Sequence, residues 1–87
     1  MSLNIICYAK LKLYNSEGKY VKEDFVYIPL LQTPTSILSG PAGAYEEDYF
    51  TWLKQDKSHW IKKHLKNTKK KLKDLRSAGY SIHWEVQ

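Results

Sequence analysis

The alternation that runs from Asn4 to Tyr14 is the feature that most limits what this chain can become. Ile5, Cys7, Ala9, Leu11 and Leu13 fall on one side, and Ile6, Tyr8, Lys10, Lys12 and Tyr14 on the other. A repeat of two residues cannot line one face of a helix, so the segment reads as a strand with one apolar and one amphipathic face. Asn15-Ser16-Glu17-Gly18-Lys19 then supplies turn formers and a glycine free to take positive φ. Residues 20–31 resume a β-rich pattern that Pro29 ends, and the pair reads as a long β-hairpin. The inward face of its second strand stays open, because Phe25 and Tyr27 compete with Val26 and Ile28. A bulge, or burial on both faces, would satisfy both sets.

Residues 29–44 carry Pro29, Pro34, Pro41, Gly40 and Gly43 among Ser and Thr, which breaks any regular element. A Pro/Gly stretch of this length, 32–44 at its centre, is functional, mobile, or folded into a short helical turn around Ser36-Ile37-Leu38. From Tyr45 the period becomes helical. Glu46, Glu47 and Asp48 stand where a first turn favours negative charge, and Tyr49, Leu53 and Trp60 share one stripe. Downstream, Ile61, Leu65, Thr68, Leu72 and Leu75 follow the spacing of a buried helix face. Tyr45, Tyr49 and Trp52 lie more than a quarter-turn from that stripe. This offset predicts a kink, or two helices meeting near residues 55–58 with Asp56 or Ser58 as N-cap, and Gly79 as the C-terminal cap.

The last residues alternate again, with Ile82, Trp84 and Val86 on one side and Ser81, His83, Glu85 and Gln87 on the other. A right-handed crossover from the second strand places this third strand beside the first. The expected fold is α+β: one domain over residues 1–87, a three-stranded antiparallel sheet in order 2-1-3, and helix packed on one face. Met1-Ser2-Leu3 reads as an expression remnant without a functional part. The sheet face bearing Ile6, Tyr8 and Tyr14 is left open to a partner.

Charge separates the chain into two parts. Residues 1–56 hold five lysines against seven acids, a balance of −2, while residues 57–87 hold eight lysines and Arg76 against Asp74 and Glu85, a balance of +7. On a helix Lys62, Lys66, Lys69, Lys73 and Arg76 form one ridge, flanked by Lys63 and Lys70, suited to following a phosphate backbone. With only one arginine, whose planar fork reads guanine edges, such binding to DNA or RNA would be independent of sequence. The same lysines also serve simply to keep a small protein soluble, and thirteen Lys to one Arg is what an AT-rich genome writes.

The other residues with chemical potential point away from catalysis. His59 and His64 are turned about 140° apart on a helix, unsuited to sharing a metal. His83 and Glu85 share a strand face. Cys7, the single cysteine, sits mid-strand on the apolar side as a small hydrophobe and excludes disulfide scaffolds. Ser36, Ser39 and the Gly40-Pro41-Ala42-Gly43 run match neither a nucleophile elbow nor a phosphate loop. No apolar run is long enough to span a membrane and no secretory leader is evident, so no membrane partner and a cytoplasmic home are expected. The sequence thus predicts a non-enzymatic binding protein without cofactor or metal. Its partner is nucleic acid, met by the basic helix, or another protein or a second copy, met by Tyr8, Lys10, Lys12 and Tyr14 on the open sheet face.

Overall fold

The computed structural model describes residues 4–38 and 40–87; Met1-Ser2-Leu3 and Ser39 lie outside the described residues. Strand β1 (Ile5–Tyr14) and strand β2 (Tyr20–Ile28) are joined by a turn organised around Asn15. The Asn15 side-chain oxygen accepts the N–H groups of Glu17 and Lys19, each at 2.9 Å, and Gly18 takes φ of +80°. That backbone region is open to glycine at no steric cost. The register pairs Cys7 with Ile28, Ala9 with Val26 and Tyr8 with Tyr27, and it slips between Leu13 and Tyr14 so that Tyr14 meets Tyr20. Val26 and Ile28 therefore face inward, and Phe25 and Tyr27 face outward. The irregularity lies at the turn and plays no part in that choice.

Strand β3 (Ser81–Val86) pairs antiparallel with β1 on its other side, Ile5 against Val86 and Cys7 against Trp84, giving the order β2-β1-β3. Two helices cover the inner sheet face. Helix α1 (Tyr45–Lys54) begins with Glu46, Glu47 and Asp48 in its first turn, and helix α2 (His59–Ser77) follows after a short break. Ser58 stands at the N-cap of α2 with extended backbone, but its hydroxyl makes no cap bond. Asp56 instead accepts the Ser58 N–H at 2.8 Å, and hydrogen bonding from the Ser58 hydroxyl first, and from that N–H second, holds its carboxyl below the usual range. At the other end Gly79 has φ of +94°, its N–H reaches the Arg76 carbonyl, and the Tyr80 N–H reaches the Leu75 carbonyl. These two bonds are the Schellman pattern that satisfies the last carbonyls of a helix.

Because the helical phase restarts at His59, Trp60 does not continue the stripe of Tyr49 and Leu53. It is 61% exposed, which corrects the sequence expectation. Ile61, Thr68 and Leu72 are buried and Leu65 and Leu75 half-buried, as their spacing requires. The 29–44 segment resolves into short 3₁₀ turns at Thr35–Ile37 and Ala42–Ala44, and it is anchored by half-buried Leu30 and Leu31 and by buried Thr33. The Thr33 hydroxyl donates to the Leu31 carbonyl at 2.7 Å.

Tyr49 is the centre of the core, with no exposed surface. Its ring lies 5.6 Å from Trp84 on β3 and 5.8 Å from Phe50. Its hydroxyl accepts the Leu31 N–H at 3.0 Å and meets Nε2 of His64 on α2 at 2.9 Å. The hydroxyl has one proton, so with Leu31 donating to it, it donates to an unprotonated His64 Nε2. Burial pushes the His64 pKa below 6.5, in the same direction.

Tyr49→Phe keeps the packing but strands the Leu31 N–H and the imidazole nitrogen; it is expected to cost about 1–3 kcal/mol in chemical denaturation. The pH dependence has a definite sign. In the unfolded chain His64 takes its proton near 6.5, whereas the folded chain resists it to lower pH, so stability is full above about 6.5 and declines as pH falls below it. Denaturation midpoints measured between pH 5 and 7.5 are expected to show that decline, reduced in His64→Gln.

Candidate nucleic-acid interface

The exposed side of α2 gathers most of the positive charge of the chain. The helix holds seven lysines and Arg76 against Asp74 alone. Its apolar stripe is turned to the sheet, so the successive cations at positions 62, 66, 69, 73 and 76 emerge about 100° around the axis from it. Lys62, Lys63, Lys66, Lys69, Lys70 and Lys73 are all exposed. At 1.5 Å per residue, Lys62 to Lys73 spans about 16 Å, the length of about five phosphates along one strand of a duplex.

The ridge is not uniform. Arg76 Nη2 lies 2.7 Å from Glu46 Oε1, and that oxygen also accepts the Trp84 indole N–H at 3.0 Å. Arg76 is thus partly neutralised, and its pair with Glu46 ties the end of α2 to α1 and β3. Lys69 places its ammonium 5.4 Å from the Phe50 ring centroid, a cation–π approach that still leaves the charge in water. Lys70 pairs with Asp74 at 3.5 Å, but both side chains are more than 60% exposed and such a contact contributes little. Among the described residues, Lys62, Lys63, Lys66 and Lys73 make no ion pair. Lys71, also exposed, makes none either, and these five with Lys69 are the helix cations without an ion pair among the described residues.

The second set of expected residues lies on the opposite side of the molecule. Tyr8 is half-buried, donates its hydroxyl to Glu85 Oε1 at 2.6 Å, and stacks on His83 with ring centroids 5.2 Å apart. The Glu85 carboxylate pushes the Tyr8 pKa up. Lys10 approaches Glu23 at 3.9 Å, and Lys12 is exposed. Tyr14 lies apart from Tyr8, near the hairpin turn, edge-on to Tyr20 at 6.2 Å. The structure adds Phe25, Tyr27 and His83 to this face. Their signal was present as the alternation of β2, but it was masked by the mixed character of both its sides.

Among the described residues no group of three His, Cys, Asp or Glu could hold a metal ion. His64 is committed to Tyr49, and His83 meets the Ser81 hydroxyl at 2.8 Å. No helix among the described residues is long and apolar enough to cross a membrane. Cys7 is 1% exposed, and burial, helped by the charge of Glu46, pushes its thiol up to about 12. A thiol so protonated is a poor nucleophile. Cys7 is accordingly expected to react with a thiol-specific chromogenic disulfide at pH 8 at least about a hundred times more slowly in the folded protein than in denaturant. Comparison with known protein families, curated proteins and solved structures finds no match for this chain.

Proposed function

We propose that this is a non-enzymatic protein that binds nucleic acid through the outer face of α2, without reading base sequence. The observation that carries the reading is the row of unpaired, exposed lysines at 62, 66 and 73, with Lys63 and Lys69 beside them, on a helix with one acid. Point-like ammonium groups on flexible stems suit phosphate oxygens, each replacing a condensed counterion, and they carry no geometry that distinguishes one base pair from another. The affinity is then chiefly the entropy of ions returned to solution.

The size of the effect follows from counting contacts. If Lys62, Lys66, Lys69 and Lys73 each neutralise a phosphate, the logarithm of the duplex association constant falls with a slope of about −3.6 against log salt. Raising salt from 50 to 200 mM then weakens binding about 150-fold on duplex and about 50-fold on a single strand. Fluorescence anisotropy with labelled oligonucleotides of unrelated sequence measures this directly. Combined charge reversal at Lys62, Lys66 and Lys69 is expected to abolish binding, and Lys66→Ala to reduce the slope by about 0.9. Absence of binding at 50 mM salt, or binding indifferent to salt, would overturn the reading.

A further inference from the structure

The outer face of the sheet leaves a group of aromatic rings uncovered and in contact with one another. Phe25 is 50% and Tyr27 69% exposed, and both lie about 6 Å from the Tyr8 ring, which makes one contiguous aromatic patch. The charges around it, Lys10 and Lys12 against Glu23 and Glu85, cancel. In a chain of net charge +5 this is the neutral side, so no field draws a polyanion to it. An aromatic patch without net charge suits a protein surface.

The charges are also ordered along the strands. Glu85 lies level with Ile6, Tyr27 and His83 level with Tyr8, Phe25 and Ser81 level with Lys10, and Glu23 level with Lys12. Two symmetric ways of stacking this face on itself differ sharply. A two-fold axis parallel to the strands sets Lys12 on Lys12 and Lys10 on Lys10, which is repulsive. An axis across the strands, at the level of Ala9, sets Tyr27 over Phe25 of the other copy and the Tyr8 ring under its Lys10 ammonium. The same turn brings Glu85 to the end where Lys12 stands. We propose that this face binds a second copy of the chain, with strands antiparallel across that axis.

The area is consistent with a reversible partner. Strands of ten, nine and six residues, rising about 3.3 Å per residue and about 4.8 Å apart, give a footprint of at most about 400 Å² per copy, or about 800 Å² in all. That lies below the bound of about 1,000 Å² for stable specific interfaces, so the dimer is expected to be weak and to assemble and separate with concentration. Isologous pairing is also the commonest closed symmetry among oligomers.

Sedimentation velocity from about 5 to 500 μM spans the affinity such an area supports. The expected mass rises from 10.2 kDa toward twice that value. Tyr27→Lys, at an exposed position that leaves the core intact, is expected to hold the protein at 10.2 kDa throughout. Lys12→Glu is expected to weaken the dimer at least about tenfold, and adding Glu85→Lys to restore it. A wild-type mass fixed at 10.2 kDa overturns the proposal. So does a dimer indifferent to Tyr27→Lys, which would pair through a sheet edge, and so does a double variant that stays as weak as Lys12→Glu.

Discussion

The hydroxyl of Tyr49 is the point on which the arrangement of elements depends. A phenol with no exposed surface has exchanged water for protein partners at both of its hydrogen-bonding roles, the Leu31 N–H and the His64 ring. Those two groups belong to the segment leaving β2 and to the second helix, while Tyr49 itself belongs to the first and rests its ring on Trp84 of β3. Displacing any one of these elements leaves polar atoms dry and unpaired, which costs more than the loss of one apolar contact. The Glu46 carboxylate repeats the device nearer the surface, holding Trp84 and Arg76 together. The two groups lie on α1 within a turn of each other, so the shorter helix acts as the bracket between the longer one and the sheet.

Much of this architecture was legible in the residues, and what was not has identifiable causes. The alternation of β1 and β3, the stripe from Ile61 to Leu75 and the break before Ser58 each rest on a strong local period, and the order of strands follows from the handedness of the crossover. The inward face of β2 was unreadable because the strand outruns the helices that cover it. Lys22 and Asp24 therefore share the inner side with Val26 and Ile28, opposite Leu13 and Leu11, and Asp24 is satisfied at 2.5 Å by the Tyr80 hydroxyl beyond the end of α2. Trp60 misled because a helical phase carried across a break is meaningless. The bond from Tyr49 to His64 joins residues 15 apart on different helices, and no periodicity reports a contact of that kind.

The candidate surfaces separate cleanly in space. Helix packing hides the apolar stripe of α2 and thereby commits its lysines to the outside, while the sheet keeps its aromatic rings on the far side of a molecule only 20 Å across in its thinnest direction. The arrangement keeps cation and aromatic patches from competing for one ligand. It also explains why the expected residues divide into two groups with different charge balance, since strands with alternating faces distribute Lys and Glu evenly, whereas an amphipathic helix concentrates one sign along a ridge.

The strand order carries a consequence for how the chain reaches this state. The central strand is the first to be made, and its second neighbour lies about 80 residues later, so the pairing of Ile5 with Val86 closes nearly the whole length of the sequence. Closing a loop of that size costs only modestly more entropy than closing a short one, but it has to wait for distant contacts and slows folding. A chain emerging from the ribosome can form the hairpin and both helices while one flank of β1, from Ile5 to Lys10, stays bare. Until residue 86 arrives, the most apolar strand of the fold offers an unpaired edge to whatever is nearby, and its first reliable protector is β3.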